Sequence, residues 1–319
     1  MNVLSLFDGI SAGRVALERA GITVDKYYAS EIDKYAIQIA MKNYPDTIQL
    51  GDVTKWRDWD IDWSSIGIVM GGSPCQSWSV AGKKLGAKDE RGRLFFVQLE
   101  IMQYVLEKSP NAFWLIENVK MKKEFEELLT ENVSYQLGKF EKHLINSSLL
   151  SAQNRKRLYW TNIPGVTQPE DKGILLKDIV EYGFVDREKG YCLDVCYYKG
   201  GNLKQYFEKH RSQLVFSQNI KDENSQSLRR FLKSTKALNE KANCMTATMY
   251  KGTASNGVTN IIADYKYRML TPIECERLQT FEDGYTEGIS NTQRYKCLGN
   301  SWTVDVIAHI LQGIKSKED

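Results

Sequence analysis

Residues 1–31 read MNVLSLFDGISAGRVALERAGITVDKYYASE. Asn2 to Phe7 is an apolar run that predicts a short buried strand. Asp8-Gly9-Ile10-Ser11-Ala12-Gly13 follows as a glycine-bearing turn. A helical pattern then passes through Val15, Leu17 and Ala20 and is closed by Gly21. Lys26 to Ser30 predicts a second strand, ended by Glu31. Strand, turn, helix and strand in this order make a βαβ unit, and the alternation continues downstream. A helix is expected over 34–43, stopped by Pro45. Strands are expected at 48–50 and 66–70, then a helix over 95–108 and a strand over 112–116. The pattern predicts an α/β fold built on a parallel sheet. In such sheets ligands sit beyond the carboxyl ends of the strands. Asp8, Glu31, Asp52, the Gly71 to Cys75 turn and Glu117 all fall there.

The regular alternation is lost after Pro164 and resumes near Tyr267. Residues 183–263 are polar and irregularly spaced, so they are read as a smaller lobe between a catalytic and cofactor-binding part, 1–182, and a return segment, 264–319. The 319 residues carry a net charge of +3, which alone points to no partner. Its distribution says more. From Asp186 to Asp264 there are 13 Lys and Arg against 8 Asp and Glu, which is +5 and leaves −2 for the remainder. A basic segment on a near-neutral body suits docking on phosphates, and it also suits an ordinary solvated surface. Six cysteines with no CxxC pair, and only three histidines, argue against zinc clusters and a disulfide framework. No apolar run reaches the ~18 residues of a membrane span, and the N-terminus has no basic leader. A reducing cytoplasm is the expected setting.

Gly71-Gly72-Ser73-Pro74-Cys75-Gln76 is the most specific stretch. Two glycines end a strand, and proline then presents a cysteine at the sheet edge, where a thiolate can act as nucleophile. Gly82, Gly86 and Gly92, set among Lys83, Lys84, Lys88, Arg91 and Arg93, suggest a basic loop that closes over a polyanion. Glu117, after an apolar strand, is a candidate general acid. Arg155 and Arg157, two apart, are expected on one face of a strand, although a surface charge run has the same appearance. The first turn does not fit GxGxxG, which argues against a nicotinamide dehydrogenase. Glu31 is placed to grip ribose hydroxyls, and Asp52 to accept from an adenine amino group.

Pro74-Cys75-Gln76, Glu117-Asn118-Val119 and Gln153-Asn154-Arg155-Lys156-Arg157 together resemble the DNA cytosine-5 methyltransferases. Phe7 to Gly13, Glu31, Gly51-Asp52-Val53, Arg268 to Pro272 with Glu276 to Gln279, and Leu298-Gly299-Asn300-Ser301 match further blocks in family order. The resemblance implies a Rossmann-like, S-adenosylmethionine-dependent methyltransferase sheet with a smaller, irregular target-recognition lobe. Cys75 would attack carbon-6 of a flipped-out cytosine, Glu117 would contact its N3 edge and Arg157 its oxygen, with Arg155 in support. Phe7, Asp8, Gly9, Ile10, Ser11, Gly13, Glu31, Ile32, Asp52 and Val53 would hold the cofactor, joined by Ser73, Pro74, Asn300 and Ser301. Gln76, Ser79, Lys83 and Arg91 would meet duplex DNA beside the catalytic turn. Arg229, Arg230, Thr246, Thr248, Tyr250 and Lys251 are candidate recognition positions, though residues 245–252 read equally as a plain strand and turn.

The chain departs from the family pattern in places. The first block commonly reads Asp-Leu-Phe-Ala-Gly; here Ser5 replaces the Asp and Asp8 the Ala. The last block commonly reads Gly-Asn-Ala-Val; here Ser301-Trp302 stand there. The compact recognition segment points to a stand-alone bacterial or phage enzyme. A monomer is expected, with no metal and no membrane, and a separately acting restriction endonuclease as a possible functional partner. The competing readings are a tRNA cytosine-5 methyltransferase and a catalytically inactive DNA-binding regulator. The first is expected to have a shorter recognition segment, and the second to have lost Cys75, Glu117 or the paired arginines.

Overall fold

The computed structural model describes residues 1–74, 90–200, 206, 209–216 and 267–315, with side chains in the second stretch from residue 92. The strands of the main sheet are β1 (Asn2–Leu6), β2 (Lys26–Ser30), β3 (Ile48–Gln49), β4 (Ile66–Gly71), β5 (Phe113–Val119), β6 (Glu141–Asn146) and β7 (Lys156–Thr161). They form one seven-stranded sheet in the order β3-β2-β1-β4-β5-β7-β6. β7 runs antiparallel to both neighbours, β5 and β6, and every other pairing is parallel. The order reverses between β1 and β4, which is where an open α/β sheet forms its ligand crevice. The fold is therefore of the α/β class expected from the first βαβ unit, with the Rossmann-like sheet that the resemblance implied.

The helices are α1 (Ala12–Arg19), α2 (Lys34–Asn43), α3 (Glu90–Lys108), α4 (Lys123–Leu137), α5 (Leu176–Ile179), α6 (Pro272–Leu278), α7 (Asn291–Asn300) and α8 (Val304–Lys315). Side chains alternate between the two faces of a strand, and the two apolar cores divide accordingly. Val3, Leu115 and Tyr159 pack with Leu17 of α1, Ile39 of α2 and Ile307 and Leu311 of α8. Leu4, Leu6, Trp114, Ile116, Leu158 and Trp160 pack with Phe95 and Leu99 of α3 and Val133 of α4. Both faces are covered, which accounts for the near-continuous apolar runs of β1, β4 and β5. α8 lies on α1, and Arg19 Nη1 meets Asp305 Oδ1 there at 2.6 Å.

Several elements differ from the sequence expectation. β1 stops at Leu6, because Phe7 turns to φ 55°. α3 begins earlier, at Glu90. β5 runs on through Glu117-Asn118-Val119, because antiparallel β7 continues the ladder as far as Val119↔Arg157. α4 and β6 were not anticipated. β6 is an edge strand with half of its residues exposed, so it has no apolar run to announce it.

Register aligns the strand ends. Leu6 lies opposite both Ser30 and Gly71, and Gly71 lies opposite Ile116. Phe7, Glu31 and Gly72 therefore leave their strands side by side, level with Glu117 of β5. Further along, β8 (Leu214–Phe216) and β9 (Tyr267–Met269) form an antiparallel pair with Phe216 opposite Tyr267. Residues 217–266 connect these two paired ends and lie outside the described residues. Among the described residues, no helix is long and apolar enough to cross a membrane.

Candidate active site

The aligned strand ends open into a cavity of about 470 Å³. One end is acidic. Glu31, Asp33 and Asp52 line it together with Phe7, Gly9 and Ile10. Glu31 carries the most local bonds: Oε2 accepts from Gly9 N at 2.8 Å, and Oε1 accepts from Ile32 N at 2.7 Å and Asp33 N at 2.9 Å. The carboxylate thus fixes the first turn against the second. Asp33 caps α2, its Oδ1 accepting from Tyr35 N at 2.8 Å. Asp52 Oδ1 accepts from Thr54 N at 2.9 Å and Thr54 Oγ1 at 2.8 Å, while its Oδ2 makes no hydrogen bond among the described residues. The Thr54 backbone N–H, then its hydroxyl, hold the Asp52 carboxyl below the usual carboxylate value. Asp52 is an anionic acceptor at neutral pH.

The other end pairs charges. Arg157 Nε lies 2.9 Å from Glu117 Oε1. In the ladder Glu117 faces Tyr159 and Arg157 faces Val119, so the two are diagonal neighbours on one face of the sheet. Trp302 Nε1 donates to Glu117 Oε2 at 3.2 Å. Gly72 sits beneath this group, since a Cβ there would lie 2.9 Å from both Glu117 Oε2 and Trp302 Nε1. Arg155 precedes β7 rather than lying in it, and is buried. Its Nη1 donates to Leu193 O and its Nη2 to Ser301 O, both at 2.8 Å. The two arginines border one cavity but do different work: Arg157 meets a carboxylate, and Arg155 braces two stretches of backbone.

Some expected cofactor residues do not reach the cavity. Asp8 is buried and turned inward, accepting from Ser5 Oγ and Tyr27 OH at 2.7 Å and from Ser11 Oγ at 2.6 Å. Ser11 is spent on that bond and adopts φ 60°. Gly13 faces the core, where a Cβ would come within 2.9 Å of Met70 Sδ. Ser301 contributes its carbonyl to Arg155 and does not line the wall. Ile32, Val53, Ser73, Pro74 and Asn300 do line it. Cys75, Gln76, Ser79, Lys83, Arg229, Arg230, Thr246, Thr248, Tyr250 and Lys251 lie outside the described residues, as does the side chain of Arg91.

Other wall residues were not anticipated: Asp33, Leu94, Asp194, Val195 and Cys297. No periodicity announced 194–195. The one available signal was Gly299, where a Cβ would overlap the Asp194 carbonyl and lie 2.6 Å from Val195 N. Cys297 does not compete as a nucleophile. Burial, with Asp33 and Glu31 nearby, pushes its thiol up to about 12.

A family model described as C-5 cytosine-specific DNA methylase matches residues 1–316. The chain is 30% identical over 329 residues to the type II methyltransferase M.NlaX of Neisseria lactamica, covering 98% of this chain and 96% of that one. It is 26% identical to the orphan methyltransferase M.SPRI of Bacillus phage SPR, covering 98% and 97%. Among solved structures, the Entamoeba histolytica methyltransferase EhMeth superposes with a TM-score of 0.68 at 16% identity, covering 100% of this chain and 99% of that one.

Proposed function

The chain belongs to the C-5 cytosine-specific DNA methylases and is a DNA cytosine-5 methyltransferase, and on that premise we propose that it methylates a cytosine flipped out of duplex DNA through a covalent adduct with Cys75. One observation carries the reading. The acidic end of the cavity and the Glu117–Arg157 pair face a single space, and the Gly72-Ser73-Pro74 turn that leads into Cys75 forms part of its wall.

The residues present fit S-adenosylmethionine. Asp52 offers an unoccupied carboxylate oxygen for an adenine amino group, Glu31 stands where ribose hydroxyls need an acceptor, and Phe7 offers a ring. Ser73 Oγ is buried without a hydrogen-bond partner, which leaves a donor for a bound molecule. When bound, S-adenosylmethionine supplies an electrophilic methyl group. Asn300 closes the same wall.

On the base side, Arg157 binds the cytosine oxygen and Glu117 its N3 edge. Cys75 adds as thiolate to carbon-6 while N3 takes a proton from Glu117, and carbon-5 becomes nucleophilic. After methylation a base, such as a water, removes the carbon-5 proton and Cys75 leaves. Residues 183–263 supply target recognition, with Leu193 to Val195 also serving the cavity wall. A separately acting restriction endonuclease, or none, are both compatible with relatives named type II and orphan.

The test is methyl transfer from labelled S-adenosylmethionine to unmethylated DNA, run beside tRNA, with base-resolution sequencing. Label at carbon-5 of cytosine within one short DNA motif is expected. Cys75→Ser is expected to abolish transfer while retaining cofactor and DNA binding. Label only in tRNA, or wild-type turnover by the Ser variant, would sink the corresponding part of the proposal.

A further inference from the structure

We propose that Trp302 is a positioning residue for this reaction: its indole N–H fixes the Glu117 carboxylate in the orientation that meets the base. The proposal rests on the assignment of Glu117 to the base made above. Glu117 is held from two sides, by Arg157 Nε on Oε1 at 2.9 Å and by Trp302 Nε1 on Oε2 at 3.2 Å. Both partners are donors only. A proton carried by Glu117 must therefore sit on a lone pair that neither uses, which restricts where it can be delivered.

Two further observations make this contact more than incidental packing. Gly72 is bare at the point where Glu117 and Trp302 meet, and any side chain there would press on both atoms of the bond. The backbone leading into Trp302 is also anchored, because the carbonyl of the preceding residue, Ser301, accepts from buried Arg155 at 2.8 Å. Arg155, Trp302 and Glu117 thus form a chain from the 193 backbone to the catalytic carboxylate, bridging 185 positions of sequence at its last link. Trp302 stands where the common family block has valine, which has no donor. It is absent from the wall of the cofactor cavity, whereas its neighbours Gly299 and Asn300 belong to it. Its loss is therefore expected to affect the chemical step and to spare cofactor binding.

The experiment compares wild type with Trp302→Phe, Trp302→His and Gly72→Ala. Single-turnover methyl transfer and cofactor affinity are measured for each. The indole N–H resonance that disappears in Trp302→Phe is then followed in wild type and in Glu117→Gln. A hydrogen bond to a charged group predicts a roughly tenfold to hundredfold slower transfer in Trp302→Phe, with cofactor affinity unchanged. Trp302→His, which keeps a ring N–H, is expected to recover part of the loss. Gly72→Ala is expected to be slow as well, and it reports on the same contact should the Phe variant fold poorly. The Trp302 resonance is expected to shift in Glu117→Gln. A Phe variant at the wild-type rate, an equal loss of cofactor binding, or an unmoved resonance would overturn the proposal. A wild-type protein that transfers no methyl to DNA would instead overturn the functional reading, and the resonance would still decide the contact.

Discussion

Asp8 sits where a carboxylate is costly, buried at the turn after the central strand, and three hydroxyls compensate it. Burial raises its pKa above the ordinary 3.8, against the pull of Ser11, Ser5 and Tyr27. The folded chain therefore holds this proton more tightly than the unfolded chain does. The stability it contributes is complete below 3.8 and is lost as pH rises through the raised value. Asp8→Asn stays neutral throughout. The stability of wild type relative to Asp8→Asn is thus expected to fall from acid toward neutral pH, as read from urea midpoints; a difference independent of pH would contradict the assignment. The same residue shows what sequence can convey at this scale. Glu31, Asp52 and Glu117 were readable because strand ends in a parallel sheet face the ligand crevice. Asp8 and Ser11 looked equivalent to them, but the left-handed backbone at Phe7 and Ser11 turns the intervening side chains. Nothing in the residue types shows that turn. The two positions at which the chain departs from the common block, Ser5 and Asp8, are joined by a hydrogen bond of 2.7 Å.

Among the elements, α7 was not expected from its own sequence, and it packs tightly through Gly299. Glycine inside a helix is unfavourable by about 1 kcal/mol relative to alanine. Gly299→Ala would ordinarily stabilise. Here the added carbon meets the Asp194 carbonyl and the Val195 N, so the variant is expected to lose about 1–3 kcal/mol through overpacking. Cofactor affinity is expected to fall with it, because Gly299, Asn300 and 193–195 share one wall. Denaturant midpoints and a cofactor titration check both effects, and a neutral or stabilised variant would show that the wall yields. Strands β1 and β4 were legible because both of their faces are buried, which writes near-continuous apolar runs. The extension of β5 was not, since it depends on pairing with β7, some forty positions away in sequence. α6 could be read from its start, where Thr271 and Glu274 form a capping box around Pro272.

At the scale of the whole molecule, the β8–β9 pair is a stem. It holds Phe216 opposite Tyr267, so residues 217–266 leave and rejoin the chain at one point. Exchanging 217–266 for the matching segment of a relative is therefore expected to change the DNA target and to leave cofactor affinity intact. Sequencing of methylated products would show it, and an unchanged target would place recognition elsewhere. Of the +5 between Asp186 and Asp264, +3 falls within 217–264 (7 Lys and Arg against 4 Asp and Glu), and its loss should flatten the salt dependence of DNA binding. The irregular spacing of residues 183–263 was visible in the sequence. Their entanglement with the main body was not, because Leu193 to Val195 are placed by Arg155 and Gly299 rather than by any repeat of their own. The packing of α8 on α1, with Arg19 meeting Asp305 across 286 positions, carries one more consequence. A ribosome delivers the first βαβ unit long before the residues that cover it. Until 297–315 emerge, the crevice lacks a wall and α1 lacks its neighbour. Such distant pairings slow folding, so the nascent chain carries an unfinished apolar face until residues 297–315 have emerged. Depleting chaperones during translation is therefore expected to lower the yield of active enzyme.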